Sequence, residues 1–183
     1  MRKVNWNDIQ ETEGFDNPAP GAYIATICKV TDNEEKEYLR IEWDFAEGNY
    51  KGNNQDTFDR AGFWPITLIR SYKEKALGFF KAFKTALEDS NPGYTFREDD
   101  LNGMVGRKIG VVLGEEEYTS RDGDVKTRLY VYQTRSLDAI RKGDFKVPEL
   151  KRMANKPAAP AAWPSGGTYG SFAELPDEGN LPF

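Results

Sequence analysis

The clearest hydrophobic pattern in the chain is the run EYLRIEWDF at 37–45, where Leu39, Ile41, Trp43 and Phe45 alternate with Tyr38, Arg40, Glu42 and Asp44. A period of two places the first four on one face of a strand and the others on the opposite face, so the segment reads as half-buried. Upstream, GAYIATICKVT at 21–31 is rich in β-branched and aromatic residues and predicts a strand, with Asp32-Asn33-Glu34-Glu35 as the polar turn between the two. Gly48-Asn49-Tyr50-Lys51-Gly52 turns the chain next. A third strand is expected at about 54–60, followed by the extended stretch FWPITLIR (63–70), which Pro65 interrupts.

The period then changes. Ser71 stands three residues before Glu74, the spacing of a helix capping box, and Ala76, Phe80, Phe83 and Leu87 fall on one helical stripe that ends at Asn91-Pro92-Gly93. VGRKIGVVLGEEEY (105–118) and VKTRLYVYQTR (125–135) return to strand composition, and Arg121-Asp122-Gly123-Asp124 between them is a hairpin signal. Residues 136–141 predict one more helical turn. The resulting order is strand, strand, strand, helix, strand, strand. It is the order of an OB-fold, a mainly β, five-stranded Greek-key barrel with one helix between strands three and four. An unrelated α+β sheet gives the same string.

Three regions follow from this reading. An irregular arm covers 1–20 and ends in the turn-like Asn17-Pro18-Ala19-Pro20-Gly21, and the OB-like domain covers 21–152. The tail at 153–183 is dominated by Pro, Ala, Gly and Ser. It has too few periodic apolar residues to offset its ordering entropy, so a disordered tail is expected.

Composition narrows the chemistry. The 183 residues include no histidine and one cysteine, which removes His-dependent triads, an internal disulfide and Cys-based zinc sites. Cys28 reads as a small buried strand residue. No pair of residues stands out as nucleophile and base, and the chain reads as a non-enzyme. Glu115, Glu116 and Glu117 with Asp122 and Asp124 could face a hard cation, but strand alternation sends Glu116 away from its neighbours and Asp122-Gly123 is explained as a turn. Neither a metal nor a cofactor is therefore expected. Gly106, Gly110 and Gly114 have GxxxG spacing, but Arg107 and Lys108 and the strand composition rule out membrane-helix packing. No apolar run approaches eighteen residues and MRKVNWNDIQETEG carries no apolar leader, so a cytoplasmic protein without a membrane partner is expected.

The net charge of −5 argues against a simple basic nucleic-acid binder, yet the charge is uneven. Residues 104–152 carry 11 Lys/Arg against 8 Asp/Glu, while both flanks are acidic. In the last strand Leu129 and Val131 point toward a core, and alternation puts Lys126, Arg128, Tyr130 and Tyr132 together on the other face. Cations beside aromatic rings suit single-stranded nucleic acid, because rings stack on bases and cations neutralise phosphates. The same tyrosines would equally cover a small apolar patch under the tail. Tyr38 and Arg40, Arg107 and Lys108 are further candidates. Trp64 (beside Phe63) and Tyr50 lie in turns, as stacking platforms or as plugs over a barrel end.

The end of the chain, ELPDEGNLPF, displays acidic residues and then an apolar Leu-Pro-Phe tip, a combination that fills a small apolar pocket beside a basic residue. It resembles the acidic tip of bacterial single-stranded DNA-binding proteins, although Gly179 and Asn180 separate Asp177 and Glu178 from Leu181. PAPGAYIATICKV, EYLRIEWDFAEGNYKG and DLNGMVGRKIGVVLGEEEY, within about 18–150, resemble single-stranded DNA-binding proteins encoded by phages. The resemblance implies an OB-fold that coats single-stranded DNA regardless of base sequence in phage replication or recombination, in the infected host's cytoplasm. It further implies that Asp177, Glu178, Leu181, Pro182 and Phe183 recruit replication or recombination proteins, and it is compatible with a homo-oligomer. Two alternatives stay open: an OB-like protein-interaction or anti-defence module with no DNA affinity, and a carboxylate-dependent nuclease.

Overall fold

The computed structural model describes residues 18–153; the expectations for 1–17 and for the tail, including Asp177, Glu178, Leu181, Pro182 and Phe183, lie outside the described residues. Five strands form one antiparallel sheet: β1 (Gly21–Asn33), β2 (Tyr38–Phe45), β3 (Thr67–Ser71), β4 (Lys108–Thr119) and β5 (Val125–Arg135). Their order across the sheet is β3-β2-β1-β4-β5. Among the described residues three α-helices accompany them: α1 (Asn53–Ala61), α2 (Leu77–Ser90) and α3 (Leu137–Lys142). The chain is thus mainly β, with a helix between its third and fourth strands.

The alternation in β2 acts as its period demands. Leu39, Ile41, Trp43 and Phe45 are all buried, and they meet Ile27, Ile109, Val111 and Leu113 from the neighbouring strands and Phe83 and Leu87 from α2 in one core. β1 serves two partners in succession, pairing with β4 over 21–26 and with β2 over 25–33. A bulge at Cys28 interrupts the second ladder. An extra residue in one strand bends it and increases its twist, which lets β1 curve from one neighbour to the other. Cys28 is accordingly half-buried rather than enclosed, and burial raises its thiol pKa.

Two local readings are corrected. Residues 54–60 are helical, within α1, and the third strand is 67–71. Gly52 and Gly62, both with positive φ, bracket α1. The helix is fastened to β2 by side chains: Asp44 Oδ1 accepts from the Asn54 amide at 2.9 Å, and Asn54 Nδ2 donates to the Trp43 carbonyl at 2.9 Å. Burial raises the Asp44 pKa against the hydrogen bonds that lower it. The second correction concerns Ser71, which closes β3 instead of capping a helix: its hydroxyl donates to the Glu37 carbonyl and accepts from the Lys73 amide. A short 3-10 turn at Glu74–Ala76 precedes α2. The helical stripe is otherwise as its spacing predicts, with Phe83 and Leu87 buried and Phe80 against the core. At the far end Asn91 ties α2 to β4, donating to the Leu87 and Lys108 carbonyls and accepting from the Lys108 amide.

No backbone ladder joins the outer strands β3 and β5. α2 packs against both, and the Arg70 guanidinium reaches from β3 to Thr134 Oγ1 on β5 at 3.4 Å. Desolvation lowers the Arg70 pKa to about 10, and its Nε has no hydrogen-bond partner. Arg70→Met keeps the aliphatic stem and removes the desolvated charge. Urea denaturation is expected to show a gain of about 1 kcal/mol; a loss would mean that the Thr134 contact outweighs desolvation.

Candidate nucleic-acid interface

β4 and β5 run on together beyond the start of β1. Gly21 pairs with Leu113, and past that point the β4–β5 ladder continues to Thr119↔Val125. Strand register puts Gly114, Glu116 and Tyr118 on one face, opposite Tyr130, Arg128 and Lys126 in turn. Leu129 and Val131 pack against the core from the other face, as the alternation requires. A bulge at Tyr132 breaks the register between Val131 and Gln133, and leaves that ring 48% exposed.

Facing the hairpin across a cleft of about 560 Å³ are α1 and the 63–66 loop. Glu115, Tyr118, Thr127, Arg128 and Leu129 line it from the hairpin, with Asn53, Asn54, Thr57, Phe63 and Ile66 opposite. Phe63 is 58% exposed. Trp64, next in sequence, is stacked on Phe58 with ring centroids 5.4 Å apart. The mouth therefore combines an uncommitted aromatic ring, a second aromatic in Tyr118 and a guanidinium.

Arg128 is already engaged. Its Nη2 lies 2.7 Å from Glu116 Oε1 and its guanidinium sits 5.4 Å from the centre of the Tyr118 ring. The other Glu116 oxygen, Oε2, holds Lys151 Nζ at 3.1 Å. The Arg128 hydrogen bond holds the Glu116 carboxyl below its ordinary pKa, against desolvation, and Lys151 adds to the effect. Lys151 also joins β4 through its backbone, donating to the Glu115 carbonyl and accepting from the Glu117 amide. Residues 148–153 thus run along the β4 edge that β1 leaves open. Gly114 is part of the fit: a Cβ there would come within 2.5 Å of Pro148 Cγ.

Because the folded-state pKa of Glu116 is depressed, its stabilisation is present above its ordinary value and is lost as pH falls through the lowered one. Glu116→Gln is expected to speed amide exchange at Lys151 and Glu117 about two- to fivefold at neutral pH, as suits a partly exposed ion pair. Unchanged exchange would leave the backbone bridge as the sole fastening of this segment.

The sequence-predicted residues do not form one surface. Lys126, Arg128 and Tyr130 share the hairpin face, with Tyr132 at its bulge. Trp64 is stacked on Phe58 and is not among the residues that line the cleft. Tyr50 is packed edge-on against Tyr23 at 5.9 Å and against the core, where it serves the fold. Tyr38 and Arg40 lie toward the other end of the sheet, where Arg40 is 3.7 Å from Glu42. Arg107 covers the Tyr94 ring at 4.7 Å, and Lys108 pairs with Glu47 at 3.1 Å. Tyr118 and Thr127 were missed as lining residues. A hairpin closed at the 121–124 turn brings Tyr118 opposite Lys126, so counting back from Asp122-Gly123 would have found the first. Among the described residues no three carboxylate or thiol side chains gather as a metal site.

No protein-family model matches the chain, and no curated protein matches it in sequence.

Proposed function

We propose that this chain is a non-enzymatic protein that coats single-stranded DNA without regard to base sequence. The observation that carries the reading is the cleft beside the β4–β5 hairpin, where Phe63, Tyr118 and Arg128 line one opening and Lys126 and Tyr130 stand on the adjoining strand face. Bases stack on exposed rings at about 1–3 kcal/mol each, a sequence-tolerant interaction, while Lys126 and Arg128 neutralise phosphates. Glu116 competes with phosphate for Arg128, so binding is sensitive to salt twice over: through the phosphate contacts and through the internal ion pair.

In this reading the strand order β3-β2-β1-β4-β5 belongs to an OB-fold barrel whose seam is filled by α2 and bridged by Arg70 and Thr134. The resemblance to phage single-stranded DNA-binding proteins adds the setting: replication or recombination of a phage genome in the host cytoplasm. The Asp177, Glu178, Leu181, Pro182 and Phe183 tip would recruit the partner enzymes, and copies would associate along the strand. Fluorescence anisotropy of labelled oligo-dT against a duplex of equal length, at low and moderate salt, tests the function. Preference for the single strand, weakening as salt rises, is expected. No binding to either would overturn the proposal.

A further inference from the structure

At the other end of the sheet from the hairpin, a second cavity of about 430 Å³ opens between the β1–β2 turn, the start of α2 and the 96–101 loop. Its walls are apolar: Leu39, Phe80, Phe96 and Leu101, with Leu77 at the mouth and 49% exposed. Phe80 meets Phe96 edge-on at 5.7 Å and Tyr72 at 6.4 Å, so the walls are braced by aromatic contacts. The rim is acidic. Asp32, Glu34 and Glu98 all line it, and the Tyr72 hydroxyl donates to Asp32 Oδ1 at 2.9 Å. Desolvation, that hydrogen bond, and the carboxylates of Asp32, Glu34 and Glu37 push the Tyr72 pKa up to about 12. Of the cations nearby, Arg97 is bound by Asp99 at 2.7 Å, and Lys84 Nζ lies 5.9 Å from the centre of the Phe96 ring.

An apolar socket ringed by carboxylates repels a phosphate backbone and the acidic tip of this chain alike. Its complement is an apolar side chain flanked by cations. We propose that this cavity is a docking site for a partner-protein segment that inserts a leucine or aromatic side chain and lays lysine or arginine residues against Asp32, Glu34 and Glu98. Ile66 lines the cleft and Tyr72 the cavity, with the five residues of β3 between them, roughly 20 Å at about 3.3 Å per residue. The partner segment and a ligand in the hairpin cleft can therefore be held at the same time, and this proposal stands whether or not that ligand is DNA.

The test uses the full chain, ¹⁵N-labelled, with two synthetic peptides as probes: Lys-Lys-Gly-Phe-Leu-Lys-Lys and its counterpart with glutamate in place of every lysine. The lysine peptide is expected to shift amides at 32–34, 72–80 and 98–101 saturably, and the glutamate peptide to leave them unmoved. Leu77→Glu, at an exposed helix start that tolerates an acidic residue, is expected to weaken the lysine peptide at least tenfold. So is Glu34→Lys combined with Glu98→Lys. Equal shifts by both peptides, shifts only around 118–130, or none at millimolar peptide would overturn the proposal. Self-association of the chain that Leu77→Glu abolishes would make the occupant a second copy, and would overturn it too.

Discussion

Replacing Trp43 with alanine is expected to remove about 3–5 kcal/mol of stability, the range for truncating a large buried aromatic. Trp43 is 1% exposed and joins the core formed by β2, β1 and α2. Its ring meets Phe45 at 5.0 Å, and its carbonyl receives the Asn54 side chain that anchors α1. Domains of this size are stable by about 5–15 kcal/mol in total, so the variant stands close to unfolding. Trp43→Phe separates volume from chemistry. The indole Nε1 has no hydrogen-bond partner, so phenylalanine loses volume without stranding an acceptor, and should cost clearly less than alanine. Urea denaturation of both checks the order; a similar loss for the two would show that the site cannot absorb even a partial change in shape. Because α1 forms one wall of the cleft, a partly folded Trp43→Ala protein should also lose that wall.

The largest functional effect is expected from the hairpin face. Lys126→Ala with Arg128→Ala removes the two cations proposed to neutralise phosphates, and Tyr130→Ala removes a ring from the same face. Each phosphate contact on a single strand contributes about −0.7 to the slope of log affinity against log salt, so the double variant should flatten that slope by about 1.4. Loss of one stacked base at about 1–3 kcal/mol corresponds to roughly 5- to 150-fold in affinity. Tyr38→Ala and Arg40→Ala, toward the other end of the sheet, should leave binding nearly unchanged. Salt-dependent titration of oligo-dT checks all of these. Equal effects from the two groups would show that the ligand path covers the whole sheet face rather than the hairpin end. Glu116→Gln frees Arg128 and should move affinity in the opposite direction, strengthening it.

What was legible in the sequence is what a strand or helix period encodes. The alternation in β2 assigned all four core residues, and Asp122-Gly123 located the hairpin whose second strand spans 125–135. The helical turn expected at 136–141 is α3 at Leu137–Lys142, which the Ser136 side chain caps by accepting from Ala139. What was illegible depends on groups distant in sequence. Residues 53–61 are polar, with only Phe58 and Ala61 apolar; Asp44 and Asn54 hold them as a helix, and Gly52 and Gly62 set its ends. Ser71 and Glu74 have the spacing of a capping box, but Ser71 is paired with Tyr38 at the end of β3 and its hydroxyl accepts from the Lys73 amide rather than from Glu74. The bulges at Cys28 and Tyr132 are invisible to a period-two count. The same is true of the site: Lys126, Arg128 and Tyr130 were found by alternation, whereas the Glu116 bridge to Arg128 and Lys151 needs cross-strand register and a segment that returns to β4.

The path proposed for single-stranded DNA runs through the cleft between the β4–β5 hairpin and the α1 side. Photo-crosslinking of an oligo-dT carrying 5-iodouracil, followed by peptide mapping of the adducts, tests it most directly. Adducts are expected on the peptides that contain Phe63, Tyr118 and Tyr130, suppressed by excess unlabelled oligo-dT and not by duplex. Adducts confined to Tyr38, to Tyr94 or to the acidic cavity around Tyr72, or no adducts at all, would contradict it.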